Sequence, residues 1–340
     1  MDILVTEDLP SPAIDALAAQ FSIVREPALW KDAAKLKAAL ADARTVMVRN
    51  QTQLTADVLA AAPKLIAIGR VGVGLDNIDL QTATERGIAV IAPLDANAVS
   101  VAELTLGLLL ALARKIPHAD RSTKAGGWDR RGCTGIELAG KTLAICGFGR
   151  IGKLVARRAA AFGMRLAVFD PFVKPGDATL AETGAMLCVK LDEALAQADF
   201  VTTHSPLTPE TRRMFNAQTF AAMKRGAYFL NTSRGGVVDE VALLGALQSG
   251  HLAGAALDVR EVEPPKVRCP AFRRPDAPEH AKAWTPSEAG FEDLDNVILL
   301  PHVGSFTHEA QARTFEAVCA DLAHLLRGEP AANVVNRPGR

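Results

Sequence analysis

The sequence predicts an α/β protein made of two doubly wound units, and three observations carry the prediction. Short β-prone apolar runs alternate with Ala-rich helical stretches from the first residues to beyond residue 300, the pattern of parallel sheets covered on both faces. A glycine cluster, Gly147-Phe148-Gly149-Arg150-Ile151-Gly152, separates an apolar run ending at Cys146 from a helical stretch. About 140 residues precede that cluster, which is room for a separate unit, because domains commonly run to roughly 100–200 residues.

Taken in order, residues 3–6, 45–48, 65–69 and 88–91 are expected to be buried strands with helices between them, which is a small α/β unit. Helical periodicity over 97–113, and again around 118–125, carries the chain onward. A strand at 141–146 and a helix over 150–162 flank the glycines. Alternation then resumes, with strands at 200–203, 227–230, 254–257 and 297–299 and helices near 191–197, 239–248 and 307–326. The stretch 263–291 is proline-rich, irregular and longer than most connections in a compact domain.

The glycine cluster reads as a dinucleotide site. Gly147 and Gly149 allow a tight turn and close backbone approach, and the helix beginning at Arg150 would turn its N-terminus toward a pyrophosphate. Asp170 follows Gly152 by 18 residues. That spacing suits a carboxylate accepting hydrogen bonds from the adenosine ribose, and it would repel a 2'-phosphate, so NAD is expected rather than NADP.

Composition narrows the class. The 38 basic and 38 acidic residues balance, which favours neither nucleic acid nor an anionic membrane as partner. The start lacks a basic n-region, and the longest apolar stretch, 104–113, is too short to span a bilayer; a cytoplasmic protein is expected. Cys133, Cys146, Cys188, Cys269 and Cys319 are scattered and odd in number, as suits reduced thiols rather than a disulfide frame or a metal site.

Open α/β sheets bind ligands at the carboxyl ends of their strands, and four such ends carry polar residues. They are Arg70 to Asp79, Asn231-Thr232-Ser233-Arg234 with two glycines, Asp258 to Glu263, and Pro301-His302-Val303-Gly304-Ser305. These segments, with Arg49, Asn97, Gly127-Trp128 and the run from His204 through Pro206 to Thr211, resemble the D-isomer-specific 2-hydroxyacid dehydrogenases over nearly the whole chain. The resemblance is to the 3-phosphoglycerate dehydrogenase-like branch in short form, ending at Arg340 without a regulatory domain, which implies no allosteric control through such a domain.

The resemblance implies a flavodoxin-like substrate domain, 1–97 plus 307–340, and a Rossmann NAD-binding domain, 98–306. Hinges would lie near Asn97 and Ser305, with closure bringing hydride donor and acceptor together. It implies Arg234, Glu263 and His302 as the catalytic set of an enzyme interconverting a D-2-hydroxy acid and its 2-oxo acid. It adds Arg49, Arg70, Val73, Gly74 and Asn97 for substrate. For NAD it adds His204, Pro206, Thr211, Thr232, Ser233, Asp258 and Gly304 to Gly147, Gly149, Arg150, Ile151, Gly152 and Asp170. The chemistry agrees: a histidine serves as acid or base in either direction, an acid orients it, and the planar arginine fork grips a carboxylate. A homodimer is implied, built from the helices after Asn97 and the arm around Trp128; Trp128 reads equally as a core anchor. A non-enzymatic NAD-sensing corepressor of the same family is the alternative.

Two departures stand out. Arg260 occupies a position where the family commonly has an aromatic residue, and it is expected to be a solvated surface residue. Glu263 and His302 lie farther apart in sequence than is usual there, and the intervening Lys266, Arg268, Arg273, Arg274 and Trp284 suggest a loop that sets substrate choice.

Overall fold

The computed structural model describes residues 1–263 and 290–336. The chain falls into two compact units, residues 1–98 with 305–340 and residues 99–304. The substrate-choice loop expected above, with Cys269, lies outside the described residues.

In chain order the first unit contains β1 (Ile3–Val5), α1 (Pro12–Ala18), β2 (Ile23–Arg25), α2 (Ala33–Leu40), β3 (Thr45–Val48), α3 (Ala56–Ala60), β4 (Ala67–Arg70), α4 (Leu80–Glu85) and β5 (Ala89–Ile91). Helix α5 (Ala98–Ala113) then leads to α6 (Ile116–Lys124), β6 (Thr142–Cys146), α7 (Arg150–Ala161), β7 (Arg165–Phe169), α8 (Ala178–Thr183), β8 (Met186–Leu187), α9 (Leu191–Gln197) and β9 (Phe200–Thr203). After these come α10 (Ala217–Ala222), β10 (Ala227–Asn231), α11 (Glu240–Gln248), β11 (Leu252–Leu257), β12 (Val297–Leu299) and, back in the first unit, α12 (His308–Leu326).

Both sheets are parallel throughout. The first runs β2-β1-β3-β4-β5, the flavodoxin-like order, and the second runs β12-β11-β10-β9-β6-β7-β8. Counted from β6 as strand one, the second is the Rossmann order 3-2-1-4-5-6 with one added strand. The predicted α/β class and both topologies are therefore present. Side chains alternate across each sheet, as period two demands: Leu143 and Ile145 join one core, Ala144 and Cys146 the other. In the first unit Leu4, Val46, Val48 and Ile68 face one way and Ile3, Val5, Met47 and Ala67 the other. Helix α12 comes so close to β4 that a Cβ on Gly69 would lie 2.8 Å from Val318 and Leu322 side-chain atoms.

Several elements escaped the sequence reading. β2 is an edge strand with little burial, and β8 is two residues long; neither shows the apolar run that marks a buried strand. α8 and α10 are six residues each, shorter than a periodicity window resolves. β4 begins at Ala67 rather than 65 because Leu65 still closes the preceding turn, donating its N–H to Ala62 O. Among the described residues no helix is long and apolar enough to cross a membrane.

Burial pushes the Cys146 thiol up to about 12 and Cys319 up to about 11, and raises Cys188 as well. These three stay protonated and unreactive near neutrality; Cys133, Cys146, Cys188 and Cys319 are free thiols.

Candidate active site

In the larger unit the strand order reverses between β6 and β9, and the glycine turn sits at that switch point. Gly147 has φ +95°, and a Cβ there would lie 2.8 Å from the backbone of His204 and Ser205. Gly149 caps α7 without any side-chain partner, and a Cβ built on it meets nothing within 4 Å. The first turn of α7, Arg150-Ile151-Gly152, thus presents backbone N–H groups beside open space, as a pyrophosphate requires. Gly152 lets the helix approach the turn: a Cβ there would stand 2.2 Å from Gly147 O. Gly152→Ala is therefore expected to cost about 1–3 kcal/mol through overpacking, read as a lower melting temperature together with weaker NADH binding in a fluorescence titration.

Asp170 closes the turn from the end of β7. Its Oδ2 accepts from the Phe148 N–H at 2.7 Å and its Oδ1 from the Phe172 N–H at 2.9 Å. The carboxylate is held in place and keeps further lone pairs for hydroxyl donors. These observations fit an NAD site, and when bound NAD supplies the hydride donor or acceptor.

The other expected cofactor residues line the neighbouring strand ends. His204 Nε2 lies 3.2 Å from Thr202 Oγ1, and its Nδ1 is shielded from solvent with no partner. Desolvation drops its ring to about 3, so it stays neutral at working pH. Thr211 donates from Oγ1 to Pro206 O at 2.6 Å and closes the loop after β9. Beyond β10, Asn231 builds a local turn: its Oδ1 accepts from Ser233 N and Oγ, while its Nδ2 donates to Arg234 O. Thr232 is buried, with Oγ1 3.1 Å from Thr105 Oγ1, and Arg234 Nη1 donates to Ser233 O at 2.8 Å.

Two of the three catalytic candidates, Glu263 and His302, meet after β11 and β12. His302 has φ +56°, an uncommon conformation for a residue with a side chain. Asp258 enforces it: its backbone O accepts from His302 N at 2.9 Å, and Oδ1 and Oδ2 accept from the Val303 and Gly304 N–H groups at 2.8 Å each. Gly304 is needed for that grip, since a Cβ there would be 2.9 Å from Asp258 Oδ2. So held, His302 places Nδ1 2.8 Å from Glu263 Oε1. A carboxylate only accepts, so Nδ1 carries the hydrogen and Nε2 is left as the atom that takes or gives a proton. Asp258, expected among the NAD residues, has this positioning work as its observed contact.

The smaller unit has its own strand-end cluster. Arg70 Nη1 donates to Val71 O and folds over Gly72, whose φ is +143° and whose Cβ, if present, would lie 1.5 Å from that nitrogen. Val73 and Gly74 follow directly. Arg49 lies 4.5 Å from the centroid of Phe306; burial holds its guanidinium below the ordinary arginine pKa, against the opposing charge of Glu7. Asn97 is buried, with Oδ1 lacking a partner.

Glu7 was missed by sequence reasoning. It is buried, and its carboxylate accepts from the backbone of Arg49, Gln51 and Thr52 at 2.8–3.2 Å, while Asn77 Nδ2 donates to Arg49 O and Thr52 O. The pair builds the turn that presents Arg49. The available signal was an acid two residues past a buried strand, at the ligand-binding end of the sheet.

Two expectations are corrected. Trp128 is 82% exposed, so it anchors no core in this chain. Arg260 is not a solvated residue: its side chain is only 11% exposed, because two carboxylates and an aromatic ring surround it.

Residues 106–304 match the family model described as D-isomer specific 2-hydroxyacid dehydrogenase, NAD binding domain. The D-3-phosphoglycerate dehydrogenase of Methanocaldococcus jannaschii is 44% identical over 337 residues, which is 99% of this chain and 59% of that protein. Among solved structures, the TT0316 protein of Thermus thermophilus has a TM-score of 0.85 at 35% identity and covers 98% of this chain and 100% of its own. A D-lactate dehydrogenase from Aquifex aeolicus, solved with NAD and lactic acid, has a TM-score of 0.83 at 29% identity and covers 97% of this chain and 96% of its own. The chain spans 52–60% of the length of curated relatives it matches.

Proposed function

The chain belongs to the D-isomer specific 2-hydroxyacid dehydrogenase family, and from that premise we propose that it interconverts a D-2-hydroxy acid and its 2-oxo acid with NAD. The observation that carries the reading is the His302–Glu263 contact of 2.8 Å on a backbone that Asp258 forces into a rare conformation. Such strain persists where the surroundings over-determine it, and functional sites are where it concentrates.

In reduction, His302 Nε2 gives a proton to the oxygen of the 2-oxo group; in oxidation it takes the hydroxyl proton. Glu263 keeps the imidazole in one orientation and stabilises it while it carries the extra proton. Arg234 orients the substrate carboxylate and polarises the oxo group through its planar fork. The Val73 and Gly74 amides bind the carboxylate, and Arg49, Arg70 and Asn97 bind the remainder of an anionic substrate. Within the family, a substrate like that of the D-3-phosphoglycerate dehydrogenases fits two arginines at strand ends. The protein is read as a cytoplasmic homodimer acting on small acids.

The test is a panel of 2-oxo acids, phosphorylated and not, assayed with NADH and with NADPH. NADH oxidation with at least one acid is expected, and no turnover with any would overturn the reading. Asp170→Ala is expected to reduce the preference for NADH over NADPH by roughly tenfold or more, the loss of a hydrogen bond to a charged group. An unchanged preference would remove Asp170 from the ribose site.

A further inference from the structure

Arg260 stands three residues before the catalytic acid, and its surroundings are built rather than incidental. Nε and Nη2 donate to the two carboxylate oxygens of Glu240 at 3.0 and 3.1 Å. The guanidinium carbon lies 4.8 Å from the centroid of Phe291, and Nη1 lies 3.7 Å from Glu292 Oε1. Both Glu292 oxygens are shielded from solvent and make no hydrogen bond, so the nearby Arg260 charge is what compensates them.

Glu240 is the first residue of α11, in the turn that Asp239 caps by accepting from Ala242 N. Its Oε1 also accepts from the Glu261 N–H at 2.7 Å. One carboxylate at the head of a helix therefore holds the side chain of residue 260 and the backbone of residue 261. Glu261 is fixed further by Arg213, which donates from Nη2 to Oε1 at 2.9 Å. Gly235, next to Arg234, permits the approach: a Cβ there would lie 1.8 Å from Arg260 O.

This tether has a mechanical consequence. Residues 259–263 belong to neither strand nor helix, so no backbone ladder sets their direction. Glu263 and His302 are both partly open to solvent, with side chains 34% and 43% exposed. A desolvated arginine between carboxylates adds little stability over an apolar side chain of similar size. What the planar fork adds is one fixed geometry.

The geometry points to Arg260 as a positioning residue for the proposed reaction: its fork on Glu240, stacked on Phe291, aims Glu263 Oε1 at His302 Nδ1. The inference rests on the reading of His302 and Glu263 given above.

The test compares wild type, Arg260→Ala, Arg260→Lys, Glu263→Ala and the double variant Arg260→Ala/Glu263→Ala, each checked for folding by thermal melting. Arg260→Ala is expected to lower kcat about tenfold through misplacement, with KM for NADH changed less than about twofold. Arg260→Lys keeps the cation without the fork and is expected to recover about a third of the loss on a logarithmic scale. In the Glu263→Ala background, Arg260→Ala should cost nothing further, because residues acting through one another are not additive. Nitrogen-15 NMR of the imidazoles supplies a readout independent of turnover, with the Nδ1–H signal of His302 broadened or lost in Arg260→Ala.

A full tenfold loss on top of Glu263→Ala would overturn the proposal, as would an unchanged kcat in Arg260→Ala beside a depressed one in Glu263→Ala. In both cases the catalytic reading stands. An unchanged kcat in Glu263→Ala overturns that reading itself, and the positioning role falls with it. Should Arg260→Ala fail to fold, Arg260→Lys alone and with Glu263→Ala makes the same comparison.

Discussion

His302→Ala is expected to lower kcat for the best 2-oxo acid by about 10³-fold, within the range that a positioned general acid or base contributes. NADH affinity should change less than about twofold, because the His302 ring bonds to Glu263 while the glycine turn bonds to Asp170. The physical ground is the tautomer. Glu263 Oε1 accepts the Nδ1 hydrogen at 2.8 Å, which leaves Nε2 as the single ring position able to exchange a proton with substrate. Steady-state kinetics and a fluorescence titration measure the two quantities separately. A variant with wild-type kcat would show that the proton moves elsewhere, and one that lost NADH binding would show that the ring supports the cofactor instead.

Asp258→Ala should damage stability and turnover together. Asp258 is 1% exposed, and its carboxylate receives both the Val303 and the Gly304 N–H groups. Removing it leaves two donors unmet, at about 1–3 kcal/mol each, and a melting temperature lower by roughly 4–24 °C follows for a unit of this size. His302 then loses the restraint on its φ of +56° and relaxes toward ordinary backbone angles. Misplacement of that kind lowers kcat by about 10²-fold. Asp258→Asn retains one acceptor oxygen and should fall between the two, so the ordering of wild type, Asn and Ala in both measurements is the decisive pattern. Equal stability of Ala and wild type would show that the turn over 302–304 is held by something other than Asp258.

Why some of these residues are legible in the amino-acid sequence, and others are not, follows from the kind of signal each carries. The glycine turn, Asp170 and the strand-end polar segments are defined locally, within a strand, a turn and the start of a helix. Period and spacing therefore reveal them. The central strands β6, β9 and β10 are mostly apolar or β-branched because both faces are covered, and their expected bounds agree with the fold nearly to the residue. β2 and β8 carry no such run, since an edge strand has less to bury.

The site shows the same division. His302 is legible as a strand-end histidine, but its left-handed backbone is not, because the cause is Asp258, 44 residues earlier in the chain. Glu7 and Arg260 illustrate the limit most clearly. Each is charged, and charge alone argues for exposure; each is buried because its partners arrive from distant segments, Arg49 to Thr52 in one case and Glu240 with Phe291 in the other. Neither partner set can be read from composition or periodicity.

The division of the chain bears on how the molecule comes to be made. Residues 99–304 are contiguous, so that unit holds every strand of its sheet once residue 304 has been synthesised. The other unit cannot: α12 covers β4 at Gly69, and Phe315, Val318 and Leu322 share a core with Ile3, Val5 and Met47. Closing that core joins residues about 300 positions apart, a costly step by chain entropy and a slow one by contact order. The N-terminal sheet therefore waits, with its α12-facing side uncovered, while the middle of the chain folds. Holdase chaperones and early proteolysis should act on that face, and ribosome-bound chains stalled before residue 305 should show protease protection in residues 99–304 first.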